Sequence, residues 1–201
     1  MSNGVIGVLG GTFNPPHLGH IALAIKAIKE HELTEVRMVP AGDPYHKSDK
    51  HLTPAKHRLE MTRLAIKDHK SITVDDREII RAGPSYTVDT LKSLHNSGLT
   101  NLALLIGSDL LPNFSQWHES QIIESLAGII VATRNSQTEQ EIFALAKKAG
   151  LQIKPRVLNL QDVNFSSTQI RKDLQAHSTI TGLSTQVLAY IRKKNLYSNS
   201  I

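Results

Sequence analysis

Apolar positions along the chain fall into short, regularly spaced runs with polar or helically patterned stretches between them. Residues 5–9, 36–40, 72–74, 102–106 and 127–131 are nearly continuous in apolar character and are closed by Gly, Pro or polar residues. Runs of that length read as strands buried on both faces. Between them, residues 21–28 carry apolar side chains at helical spacing. Thr53-Pro54 supplies an N-cap and a first-turn proline for a helix expected to reach about Asp68. Gly83-Pro84-Ser85 predicts a turn before a helix near 87–95, and a further helix is predicted near 138–148. An apolar segment at 156–160 follows, then a helical C-terminal part with Ser166 and Ser184 as caps. No internal repeat and no low-complexity linker interrupts this order.

Strands alternating with helices imply a parallel, doubly wound α/β sheet. In such sheets ligands bind beyond the carboxyl ends of the strands, at the point where the strand order reverses. The turn after residue 9 is therefore the first place to look for chemistry.

The 201 residues suit one domain with a substantial core. The chain has no cysteine, so a disulfide framework and a thiolate metal site are both excluded. No stretch reads as a signal peptide or a membrane span, and a cytoplasmic protein is expected. A net charge of +5 favours anionic partners. The basic residues are scattered and aromatics make up only 4% of the chain, which argues against a nucleic-acid surface and for small phosphorylated ligands.

The stretch GGTFNPPHLGH, Gly10 to His20, holds two glycines, two prolines and two histidines within eleven residues. Gly10 and Gly11 lack Cβ, so the backbone there can turn tightly, and its amides with that of Thr12 can approach an anion. The dinucleotide fingerprint fails, because the order Gly7-Val8-Leu9-Gly10-Gly11 is wrong and the second strand ends in Val39-Pro40 without an acid. No P-loop lysine follows either. His17 and His20 lie three apart at a helix start, on one face, with Gly19 between them. Two imidazole N–H donors converging on a phosphate suit phosphoryl transfer, where positioning and charge neutralisation carry the chemistry. A metal reading lacks a third protein ligand, so no metal site is expected. Solvated histidines remain an alternative from the residues alone.

GGTFNPPHLGH resembles the signature of the nucleotidylyltransferase superfamily, and Ser166-Ser167-Thr168-Gln169-Ile170-Arg171 resembles its second motif. Residues 77–78, 83–91 and 106–111, with Phe114 and Trp117, resemble bacterial nicotinate-nucleotide adenylyltransferases, as do residues 44–47 and the C-terminal 188–191 with 196–197. The resemblance extends over residues 5–197. It implies a Rossmann-like doubly wound sheet of the nucleotidylyltransferase type, in one domain over 1–201 with 166–201 as a small C-terminal helical extension.

The implied activity is adenylyl transfer from ATP to nicotinate mononucleotide, giving deamido-NAD and pyrophosphate in NAD biosynthesis. The implied catalytic set is His17, His20 and Arg171. ATP is expected to bind at Gly10, Gly11, Thr12, Phe13, His17, His20, Gly107, Asp109, Phe165, Ser166, Ser167, Thr168 and Arg171. The pyridine nucleotide is expected at His46, Lys47, Tyr86, Thr87 and Trp117, with the indole stacking on the pyridine ring. Mg²⁺ is expected to be held mainly by the ATP phosphates.

Asn14 stands where the family often has Asp, and Phe165 where Ile often precedes the serines. Some of these residues also have a structural alternative: Trp117 as core, Asp109 as a helix cap, Tyr86 and Thr87 as a plain helix start, and His46 as a solvated loop residue. Another phosphorylated acceptor (nicotinamide mononucleotide or phosphopantetheine) and a non-catalytic nucleotide-binding regulator are the competing functions. Homo-oligomerisation and closure of loop 41–52 over substrate are left open by the sequence.

Overall fold

The computed structural model describes residues 4–44, 52–133, 137–160, 165–176 and 178–198. Its elements run β1 (Val5–Gly11), α1 (Leu18–Glu30), β2 (Leu33–Pro40), α2 (Ala55–Ala65), β3 (Ile72–Val74), α3 (Arg77–Ile80), α4 (Thr87–Asn96) and β4 (Leu102–Gly107). A 3₁₀ helix (Ser108–Gln116) then leads into α5 (Ser120–Leu126), β5 (Ala127–Ala132), α6 (Glu139–Lys148), β6 (Arg156–Leu158), α7 (Ser167–Gln175) and α8 (Thr185–Lys193).

The six strands form one parallel sheet in the order β3-β2-β1-β4-β5-β6. The apolar runs are buried on both faces, as parallel strands under helices must be. Leu102, Leu104 and Ile106 of β4 belong to the core under α4, α5 and α6. Ala103 and Leu105 between them face the core under α1, with Ile21, Ala24 and Ala27. Alternation with period two thus divides one continuous apolar run between two layers. A third cluster joins Met61 of α2 to Val187 and Ile191 of α8, and docks the C-terminal helices onto the first half of the chain.

Three expectations need correction. The strand β1 continues through Gly10 and Gly11, which pair with Val39 and Pro40, so the glycines do not make the turn. The helix α2 ends at Ala65, and Pro54, not Thr53, occupies its N-cap position; Thr53 is buried and its carbonyl accepts from Arg58 Nε at 2.9 Å. The segment between β4 and β5 holds a 3₁₀ helix and α5, which the apolar pattern did not separate.

Candidate active site

The sheet order reverses between β1 and β4, whose crossovers leave to opposite faces. Their register pairs Val8 with Leu104, so Gly11 and Gly107, three residues on, sit level at the carboxyl edge. Beyond Gly11 the chain turns at Phe13, whose φ of 48° is left-handed, and passes a cis Asn14–Pro15 peptide. The glycine at 11 is needed because a Cβ there would stand 2.9 Å from the Phe13 ring. At Gly10 a Cβ would meet nothing within 4 Å, so the exposed backbone edge is open to a ligand.

His17 is buried at the N-cap of α1, and His20 follows in the first turn. Their rings stack with centroids 3.7 Å apart and planes at 25°, while Phe13 meets the His20 ring edge-on at 4.9 Å. The His17 main-chain N–H donates to Nδ1 of His20 at 3.1 Å. A nitrogen that accepts carries no hydrogen in the neutral ring, so the His20 proton sits on Nε2. The two rings are therefore layered side by side, where the sequence suggested only a shared face. The next amide of the helix start, Leu18 N–H, donates to the Gly182 carbonyl at 2.8 Å. This part of the positive helix end faces protein, not a ligand.

The second motif closes on the first across more than 150 residues of sequence. Ser166 caps α7, its Oγ accepting from Gln169 N–H at 3.3 Å. Ser167 Oγ donates to the Pro15 carbonyl at 2.9 Å, and Arg171 Nη1 donates to the Asn14 carbonyl at 2.9 Å. The Phe165 ring lies 6.5 Å from that of His17, and Thr168 is exposed on the first turn of α7. Asn14 itself is buried and is held a second time, because Tyr197 OH donates to its Oδ1 at 2.8 Å. Burial pushes the Tyr197 hydroxyl up to about 12, against the opposing pull of the Thr53 hydrogen bond and the Arg171 and Arg58 charges.

A second group gathers on the other side of the reversal point. Tyr86 occupies the N-cap position of α4, Thr87 begins that helix, and the Tyr86 ring lies 4.4 Å from His118. Trp117 ends the 3₁₀ helix, half-buried, with its ring 5.3 Å from Phe114. Gly107 ends β4 opposite Ala132, and Asp109 is exposed in the first turn of the 3₁₀ helix. His46 and Lys47 lie outside the described residues.

Sequence reasoning missed the most buried cation among the described residues. Arg58, in the first turn of α2, is fully buried, and its guanidinium donates to the carbonyls of Thr53, Thr12 and Gly42 at 2.9, 2.8 and 3.1 Å. Burial pulls it below the ordinary arginine value, with Tyr197 and Glu78 opposing. Glu78 is also buried, and burial pushes its carboxyl up although Thr90 and Ser85 hydrogen-bond to it and Arg81 opposes the shift. An arginine near a helix start carries no pattern that separates it from a solvated one.

Residues 8–173 match the cytidylyltransferase-like family, and the chain belongs to that class. Within it, a probable nicotinate-nucleotide adenylyltransferase of Dehalococcoides mccartyi is 38% identical over 195 residues, covering 95% of this chain and 96% of the relative. One from Roseiflexus sp. is 39% identical over 204 residues, covering 98% and 100%. The chain is a member of the nicotinate-nucleotide adenylyltransferase family. The fold is also that of a Plasmodium falciparum nicotinic acid mononucleotide adenylyltransferase complexed with NaAD. That match has a TM-score of 0.79 at 22% identity, over 96% of this chain and 97% of the other.

Proposed function

We propose that this enzyme transfers the adenylyl group of ATP to nicotinate mononucleotide, giving deamido-NAD and pyrophosphate, a step of NAD biosynthesis. The observation that carries the reading is the meeting of two distant motifs at one strand end. Ser167 and Arg171 bond the same loop, Asn14–Pro15, that leads into His17 and His20. Hydrogen-bond donors gathered at the carboxyl edge of a doubly wound sheet suit a nucleotide phosphate.

The mononucleotide phosphate attacks the α-phosphorus of ATP in line and pyrophosphate leaves. In this reading His17 and His20 stabilise the charge that develops on the phosphates. Thr12, Lys47 and Arg171 add contacts, and the first turn of α7, with Ser167 and Thr168, faces the same oxygens. Gly10, Gly11 and Phe13 shape the floor, and adenine lies near Gly107, Asp109, Phe165 and Ser166. The pyridine ring stacks on Trp117, with His46 assigned to the same nucleotide, and its carboxylate lies at the α4 start from Thr87 onward, where backbone N–H groups favour an anion. The Tyr86 N–H already donates to the Pro84 carbonyl at 3.0 Å. Among the described residues no group of three His, Cys, Asp or Glu gathers to hold a metal ion. Mg²⁺ belongs to the proposal as a cation brought by the triphosphate, since it favours phosphate and water oxygens. The whole of 1–201 acts as one domain, with 166–201 closing the nucleotide side. No helix among the described residues is long and apolar enough to cross a membrane.

The test is pyrophosphate release from ATP with a panel of acceptors: nicotinate mononucleotide, nicotinamide mononucleotide and phosphopantetheine. Nicotinate mononucleotide should give the highest kcat/KM, exceeding its amide by roughly tenfold to a few hundredfold, because an amide leaves buried donors unpaired at about 1–3 kcal/mol each. Turnover with phosphopantetheine alone would overturn the acceptor, and ATP binding without any turnover would favour a regulator.

A further inference from the structure

Three buried polar side chains that adenylyl transfer does not use, Arg58, Glu78 and Thr90, lie on one connected path between the two halves of the site. At its centre is Arg58, whose three carbonyl partners come from three separate segments: the loop after β1, the loop after β2 and the approach to α2. A buried charge is costly unless every donor is satisfied, and an apolar side chain of similar size would serve packing as well or better. What a planar guanidinium adds is geometry, because its fork fixes several acceptors relative to one another.

From Gly42 the path continues. The N–H groups of Gly42 and Asp43 donate to Ser85 Oγ at 2.9 and 3.2 Å, and Ser85 N–H donates back to the Asp43 carbonyl at 2.8 Å. Gly42 packs so closely on α3 that a Cβ would stand 2.0 Å from the Glu78 carbonyl oxygen. Ser85 and Thr90 hydroxyls hydrogen-bond the Glu78 carboxyl, the latter at 2.5 Å. Thr90 lies one turn beyond Thr87 in α4. The route Thr12–Arg58–Gly42–Ser85–Glu78–Thr90 thus joins the nucleotide loop to the helix start assigned to the acceptor.

We infer that Arg58 is a positioning residue that holds the ATP loop and the acceptor-binding helix start in one register for in-line attack. The inference rests on the adenylyl-transfer reading above. A misplacement of about 1 Å between reacting groups costs on the order of 10²-fold in rate while each partner can still bind. Losing the strap therefore lowers kcat more than affinity.

The experiment uses the full chain, with Arg58→Lys, Ser85→Ala and the double variant beside wild type. Thermal stability, the dissociation constants of ATP and of nicotinate mononucleotide measured singly, and kcat per folded enzyme are read for each. Both single variants should lose about tenfold or more in kcat, with each dissociation constant within about threefold of wild type. The double variant should be no worse than the poorer single, because both cut one path. Unchanged kcat in the folded single variants, a loss seen only as weaker binding, or effects that multiply would each overturn the inference. If Arg58→Lys does not fold, Ser85→Ala, on a half-buried turn, decides by the same kcat and binding criteria. Wild type without adenylyl transfer to any acceptor takes down the underlying reading, whereas active wild type with unaffected variants takes down the strap alone.

Discussion

The main-chain N–H of His17 donates to Nδ1 of His20 at 3.1 Å, and this one bond leaves Nε2–H as the donor of the second ring. The stacked His17 ring, 3.7 Å away, and the edge of Phe13 restrict how that ring can turn. His20→Ala should therefore lower kcat by about 10²-fold or more, the scale of losing one preorganised transition-state donor. The variant should fold, with a loss near 1 kcal/mol from the missing acceptor at the helix start. Steady-state kinetics together with a urea titration checks both parts; unchanged turnover removes His20 from the catalytic set.

The histidines, the strands and the α7 cap were legible because each rests on local spacing. Ser166 and Ser184 cap their helices as the residue type predicts, and the five apolar runs all became strands. What was not legible depends on partners far away in sequence. Nothing near Arg58 announces three carbonyls from other segments, and nothing near Tyr197 announces Asn14, 183 positions earlier. Asn14 was visible only as a departure from a family pattern; the structure gives it work, with its Oδ1 and its carbonyl each receiving a donor. The turn after β1 was misplaced by two residues because Gly attracts the turn assignment, while the left-handed position fell on a buried phenylalanine.

Arg171 spends one nitrogen on the Asn14 carbonyl and reaches the site from the second turn of α7. Arg171→Ala should raise the dissociation constant of ATP while leaving that of nicotinate mononucleotide within about twofold, a change well under 1 kcal/mol. Separate titration of the two nucleotides decides the matter. A defect confined to the mononucleotide contradicts the assignment.

Gly182 joins two constraints. Its φ of 83° is left-handed, and an added Cβ would stand 2.4 Å from the Phe165 ring. Its carbonyl also accepts from Leu18 N–H at the start of α1. Gly182→Ala should cost about 1–3 kcal/mol in denaturant stability, and it should lower activity as well, because Phe165 and the helix start both border the histidines. Wild-type stability in this variant would show that residue 182 relaxes freely.

Glu78 makes a pH-dependent contribution with a definite sign. Burial holds its folded-state value above the ordinary 4.5, so between the two values the native state binds the extra proton. Stability from this group is then fully present below about pH 4.5 and is lost as pH rises through the folded value. Glu78→Gln keeps an acceptor for Thr90 and has no proton to lose. The difference in Tm, variant minus wild type, should be more positive at pH 7 than at pH 4. Thermal melts at the two pH values, with no substrate, test this; an equal or opposite difference shows that the carboxylate is not penalised in the fold.

Tyr197 provides the alkaline counterpart and tests the clasp on the nucleotide loop. Its hydroxyl donates to Asn14 Oδ1 at 2.8 Å, and its value is pushed from 10.0 to about 12. From about pH 10 to about pH 12 the unfolded chain loses this proton while the native state keeps it, so stability falls with rising pH across that window. At about 1.4 kcal/mol for each pKa unit, the loss is on the order of 3 kcal/mol when complete. Tyr197→Phe keeps the ring and its packing but leaves the buried Asn14 oxygen without this donor, a cost of about 1–3 kcal/mol at neutral pH. Above pH 10 the variant has no such proton to lose, and the other titrating groups are common to both proteins. The stability gap between wild type and Tyr197→Phe should therefore be widest near pH 8 and narrow steadily toward pH 11.5. Urea midpoints along that series measure it directly. A gap that stays constant with pH means the hydroxyl is not held in its neutral form by the fold, and no gap at pH 8 means the bond to Asn14 contributes nothing to the clasp.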